Sequence, residues 1–138
     1  LAREKSVLNF HNDGHRAYAE DPQYAERNCL IYLIEVGNQL DKIGITFDLE
    51  TRFYKGQVTD VWWTKEMSRA KCWAVEQAAL KATMDYRVSN PPQDIARGGI
   101  TEFRSGLDLE ETIEMLEEMC EEVKQLGWRS FFDKFVLD

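Results

Sequence analysis

A chain of 138 residues, of which 43% are hydrophobic and 12% aromatic, suits one compact domain rather than two. Its formal net charge of −8 is unusual for a protein that binds nucleic acid, because phosphate contacts are made by Lys and Arg. No run approaches the ~18 consecutive apolar residues of a membrane span, and the polar first residues lack the apolar stretch of a signal peptide. We therefore expect a cytoplasmic protein, and three widely spaced cysteines predict reduced thiols rather than a disulfide framework.

The negative charge is concentrated at one end of the chain. Residues 107–138 contain ten acids and three bases, whereas residues 31–106 contain ten of each. A neutral middle segment with basic residues near its motifs can still present a locally positive cleft. The net charge alone therefore does not exclude a nucleic-acid partner.

The first half of the chain predicts an arm followed by a hairpin. Residues 1–28 are polar and form an N-terminal arm, with a helical turn or two after Pro22. The runs CLIYLIEV and LDKIGITF are β-prone and are separated by a short turn, which predicts two antiparallel strands. Asp48 is a good N-cap for a short helix that Gly56 would end.

The second half predicts one strand, two long helices and a tail. QVTDVWWTK has the composition of a third strand, and Ser68 is a plausible N-cap for a helix of about five turns. VSNPPQDIARGG predicts a loop, and ITEFR is a candidate for a short fourth strand. Residues 107–126 have the apolar spacing of an amphipathic helix with an acidic outer face, and the aromatic tail is expected to pack back on the domain. We divide the chain into the arm at 1–28, a core at 29–106, and the acidic helix with its tail at 107–138.

The hairpin register places two polar side chains on one face of the predicted sheet. If residues 37–39 form the loop, Ile34 pairs with Lys42 and Tyr32 pairs with Gly44. Tyr32 and Lys42 then share a face as diagonal neighbours. The opposite face carries an apolar set: Ile31, Leu33, Ile43 and Ile45.

These side chains have the chemistry that phosphodiester hydrolysis requires. A free phenol titrates near pH ~10, so a nearby cation such as Lys42 is needed before Tyr32 acts as a base at neutral pH. Arg52, one short helix later, offers a planar fork that matches two phosphate oxygens. Glu76 falls on the apolar stripe of the long helix, where a carboxylate is costly to bury without a partner. One carboxylate, several waters and a substrate phosphate would make a typical Mg²⁺ site.

Five short motifs in order resemble the GIY-YIG nuclease superfamily, and especially phage-type members with KIG in place of YIG. They are LIY at 30–32, KIG at 42–44, the run KIGITFDLETR, the helix-borne Glu76 and TEF at 101–103. The spacing after the second motif is met by Gly44, Thr46, Asp48, Leu49 and Arg52. The resemblance covers about residues 29–104.

The resemblance implies an α/β (α+β) domain with a small three-stranded antiparallel sheet flanked by helices, cutting DNA with Mg²⁺ or Mn²⁺. Tyr32 matches the candidate general base, Lys42 stands where the second motif usually has Tyr, and Arg52 matches the phosphate-binding arginine. Glu76 matches the single glutamate that holds the metal ion. Lys55, Arg69 and Lys71 are the basic residues near these motifs and are the candidates for contacts with nucleic acid.

Two departures from the family pattern leave alternatives open. Leu30 replaces the first Gly, and Gly56 stands where many members have a His, so that Tyr54 or Lys55 would have to take its place. One alternative is a non-catalytic GIY-YIG-like module that binds nucleic acid or protein. Another is an acidic inhibitor or interaction protein whose helix 107–126 docks on a partner, and a homodimer is a further expectation for a domain this small.

Overall fold

The computed structural model describes residues 14–37, 39–49, 58–89 and 103–138. These residues form an α+β fold with a four-stranded antiparallel sheet. The strands are β1 (Asn28–Val36), β2 (Leu40–Thr46), β3 (Val58–Ser68) and β4 (Phe103–Arg104), and their order across the sheet is β3-β1-β2-β4. β1 contains the whole of the run that the sequence predicted for it, and β2 and β3 each cover all but one residue of theirs.

The expected count of three strands is wrong. β4 adds a fourth by pairing Asp41 with Arg104 and Lys42 with Phe103. It is only two residues long, within the run ITEFR that was the candidate for a fourth strand. So short a strand has little signal of its own, and its pairing with β2 is a contact between residues about sixty positions apart.

Helices flank the sheet. They are α1 (residues 14–20), α2 (Pro22–Glu26), α3 (Arg69–Ala82), α4 (Leu109–Leu126) and α5 (Trp128–Phe132), which runs into a π-helical turn, Asp133–Leu137. Ser68 is the N-cap of α3, as predicted, and Asp108 caps α4 by accepting a hydrogen bond from Glu111 N. The predicted short helix after Asp48 lies largely outside the described residues. None of the helices within the described ranges is both long and apolar enough to cross a membrane.

The larger of two hydrophobic clusters lies between the helices and one face of the sheet. Ile31, Leu33 and Ile43 pack there, as the predicted register required, against α3, α4 and α5. Trp73 of α3 stacks on Phe132 with ring centroids 4.6 Å apart. The aromatic tail therefore packs back on the domain, as expected.

The smaller cluster lies on the other face of the sheet. Its buried members are Tyr32, Ile34, Val36, Leu40 and Phe103. Side chains alternate between the two faces of a strand, so this cluster is separated from the larger one by the sheet itself. The face with the phenol and the ammonium is thus a second buried layer of the fold.

Candidate functional site

The hairpin register is confirmed residue by residue. Tyr32 pairs with Gly44, Ile34 with Lys42, and Val36 with Leu40. Tyr32 and Lys42 consequently lie on one face of neighbouring strands, at the diagonal position where long side chains interact. Backbone pairing alone therefore places the side chains that carry the phenol and the ammonium on the same face.

Both of these side chains are fully buried. Tyr32 and Lys42 have 0% exposure, and the Lys42 Nζ lies 5.3 Å from the centroid of the Phe103 ring. A cation over an aromatic face is attracted by the ring quadrupole, which offsets part of the cost of burying the charge. The pair is accordingly part of a packed layer whose described apolar members include Ile34 and Phe103.

Glu76 is carried by the helix that packs on the opposite face of the sheet. It lies in the middle of α3, is only 3% exposed, and its Oε1 accepts a hydrogen bond from Gln77 Nε2 at 3.0 Å. Its nearest ionisable surroundings include Tyr18 of α1. Burial raises the pKa of the Tyr18 phenol, and the Glu76 carboxylate adds to that increase while Arg69 opposes it.

The remaining predicted catalytic and metal contacts are only partly described. Arg52 and Lys55 lie outside the described residues. Within the described ranges, no group of three or more His, Cys, Asp and Glu side chains is placed to hold a metal ion. Glu76 offers one carboxylate, so a Mg²⁺ ion there would need waters and a substrate phosphate for its other oxygen ligands. At 3% exposure Glu76 is not open to such ligands in this conformation, and the described residues do not fit the ion by themselves.

Two of the predicted nucleic-acid contacts lie together in the first turn of α3. Arg69 and Lys71 are its first and third residues, and both are half-buried. The Arg69 guanidinium donates from Nε to the Tyr18 hydroxyl at 2.9 Å and from Nη1 to the Cys29 Sγ at 3.7 Å. Arg69 is thus held in place by α1 and β1.

Two further residues at this end of the fold were not selected from the sequence. The Cζ of Arg27 lies 4.1 Å from the centroid of the Phe47 ring, and the Cζ of Arg69 lies 5.0 Å from it. Arg27 directly precedes β1 and Phe47 directly follows β2. Because Leu30 pairs with Thr46, the predicted register already placed these flanking residues at the same end of the hairpin.

A pair of thiols lies beneath this cluster. Hydrogen bonding with Cys72 is the main cause that lowers the pKa of Cys29 to about 6, with Arg69 acting in the same direction against burial. The pKa of Cys72 is raised by the same contact and by burial. Cys29 is therefore the thiol of the pair that ionises first.

No protein-family model matches this chain, and neither a curated protein nor a solved structure matches it significantly. The resemblance to the GIY-YIG superfamily consequently stays a prediction from five short motifs.

Proposed function

We propose that this protein is a divalent-metal-dependent endonuclease that hydrolyses DNA phosphodiester bonds with a GIY-YIG-type site. The observation that carries the proposal is the pairing of Tyr32 with Gly44 beside Lys42. This register gives a phenol one cationic neighbour on the adjacent strand and a glycine directly opposite. It is the arrangement that the predicted hairpin register required.

The roles follow from the chemistry of each group. Lys42 favours the ionised form of a nearby phenol, so that Tyr32 takes a proton from the attacking water. Arg52, by the resemblance, binds the phosphate oxygens and stabilises their charge as it builds up. By the resemblance, Glu76 would hold the divalent ion that polarises the phosphate, which requires a conformation that opens its 3% exposed carboxylate to water and substrate.

The test is plasmid cleavage with Mg²⁺ or Mn²⁺, compared with the same reaction in EDTA. We expect Tyr32→Phe and Glu76→Gln each to slow cleavage by about 10²-fold or more, since positioned acid–base groups contribute roughly that much. Tyr86→Phe and Glu114→Gln change exposed side chains of the same types and should cleave like the parent. A thermal melt of each variant establishes that it is folded. Parental rates in both site variants would reject the site assignment.

A second candidate is a non-catalytic module that binds nucleic acid or protein on the same scaffold. The burial of Tyr32 and Lys42, together with the position of Glu76 on the helix of the opposite face, favours it. A general base has to come within hydrogen-bond distance of the water that it deprotonates, and these groups are covered. Absence of cleavage under every metal condition, with DNA binding retained in EDTA, would favour this candidate.

A further inference from the structure

The first turn of α3 carries positive charge where a helix favours negative charge. Its first and third residues are Arg69 and Lys71, and the turn contains no acid. The helix dipole makes this end of a helix electropositive, so that cations there lower helix stability and anions raise it. The arrangement is therefore unfavourable for the helix alone.

A third cation adjoins the same turn. The backbone N of Arg69 donates to the carbonyl oxygen of Arg27 at 2.7 Å, and both guanidiniums lie against the ring of Phe47. Arg27 is exposed, and the Phe47 ring is 38% exposed. We call the surface formed by Arg27, Phe47, Arg69 and Lys71 the α3 cationic surface.

The ion pairs that the described residues form lie away from this surface. The ion pairs among the described residues are Lys65–Glu117 and Lys124–Glu121, and both involve α4. Glu26 is adjacent in sequence to Arg27, yet within the described residues it forms no ion pair with these three cations. Cys29 offsets part of the Arg69 charge through their 3.7 Å contact. Arg27 is exposed and Lys71 is half-buried, and neither has an ion pair among the described residues.

We propose that the α3 cationic surface binds the phosphate backbone of DNA. Three basic side chains around a helix N-terminus offer several donors spread over a surface, which fits successive phosphates of a strand better than one free anion. The inference rests on the proposed function in taking DNA as the ligand, but it requires no cleavage and no metal ion. It assigns Arg27 and Phe47 to the interface, with Phe47 holding the two guanidiniums in place.

The test measures the binding of a fluorescent DNA duplex by anisotropy, in EDTA and over a range of NaCl concentrations. Arg27→Gln and Lys71→Gln should each weaken binding about fivefold and reduce the slope of log K against log salt by about one. Lys124→Gln removes an exposed cation from α4 and should bind within about twofold of the parent. Parental affinity and salt slope in both Arg27→Gln and Lys71→Gln would overturn the proposal.

The outcomes distinguish this proposal from the nuclease. If the parent does not cleave DNA and the two variants bind it more weakly than the parent, the results support the α3 cationic surface and reject the nuclease. If the parent cleaves DNA and the two variants bind it as tightly as the parent does, the results support the nuclease and reject the α3 cationic surface. Complete competition by millimolar inorganic phosphate, with no salt slope beyond that of a single contact, would indicate a single-anion site and overturn the assignment to DNA. A parent that does not bind the duplex at low salt would also overturn it.

Discussion

The two ends of α3 differ in how their positively charged side chains are placed. At the C-terminal end, Arg104 is 1% exposed and donates from Nη2 to the Leu80 carbonyl at 2.9 Å and from Nε to the Thr83 hydroxyl oxygen at 2.9 Å. At the N-terminal end, Arg69 and Lys71 lie in the first turn beside the exposed Arg27. A cation at a helix C-terminus satisfies free carbonyls and complements the dipole, whereas a cation at the N-terminus opposes it. The C-terminal arrangement serves stability, and the N-terminal one is the place where we propose that DNA phosphates bind.

The largest effect should come from removing the buried cation. Arg104→Met keeps much of the apolar volume but leaves Leu80 O and Thr83 Oγ1 without their donor in a buried place. Hydrogen bonds to charged groups contribute about 1.5–3 kcal/mol each, so we expect the free energy of unfolding to fall by about 3 kcal/mol. Urea denaturation measures it. The exposed Arg129 offers the control, because Arg129→Met should change stability by less than about 0.5 kcal/mol. A loss under about 1 kcal/mol for Arg104→Met would mean that this end of α3 does not depend on its arginine.

A smaller effect should appear in the pH dependence of the N-terminal end. The pKa of Cys29 is about 6 in the folded protein, below its ordinary value near 9, because Cys72 and Arg69 favour the thiolate. Between these two values the unfolded state binds more protons than the folded state, so stability rises with pH and is lost as pH falls toward 6. We expect the free energy of unfolding to rise by about 1–2 kcal/mol from pH 6.5 to 8.5, within the limit of ~1.4 kcal/mol per pH unit for one proton.

The comparison variant is Cys29→Ala, in which most of that rise should vanish. Cys72 works in the opposite sense, since its raised pKa makes the unfolded state ionise first and lowers stability above about pH 9. The measurement is therefore confined to the interval below pH 9. Identical pH profiles for the parent and Cys29→Ala would show that Arg69 is not balanced by a thiolate.

The parts of the fold that local patterns specify were predictable from the sequence. The register of β1 on β2 follows from two β-prone runs and a short loop, and it correctly placed Ile31, Leu33 and Ile43 on the core face. The start of α3 follows from the capping hydroxyl of Ser68. In both cases the determining residues lie within a few positions of each other.

The parts that depend on distant contacts were not predictable. The cluster that buries Tyr32 includes Phe103, about seventy positions away, and no local pattern indicates that contact. A buried Arg104 runs against the usual exposure of arginine, so it carried no signal until its partners in α3 were known. The layer to which Glu76 belongs likewise depends on the face of the sheet on which α3 packs. The apolar periodicity of α3 does not determine which of the two faces that is.

The smallest effect should come from reversing a charge at the N-terminal end of α3. Lys71→Glu places an acid in the first turn, where the helix favours it, and should raise the free energy of unfolding by about 0.3–1 kcal/mol. The same variant should bind the DNA duplex more weakly than Lys71→Gln, because it repels phosphate in addition to losing a contact. Denaturation at low ionic strength and anisotropy in the same buffer measure the two effects. Lys124→Glu in the last turn of α4 is the contrasting variant, because the same charge change there opposes the helix dipole and removes an ion pair, and should therefore lower stability.

Opposite signs in the two measurements are the critical result. If Lys71 served only stability, reversing its charge would not raise the free energy of unfolding. If it served only binding, the reversal would lower the affinity for DNA. Should Lys71→Glu lower stability and leave DNA affinity unchanged, the cations at the N-terminal end would have a structural role like that of Arg104, and the contrast between the two ends of α3 would disappear. A gain in stability with a loss of affinity would instead mean that α3 gives up helix stability at one end in order to hold an anion there.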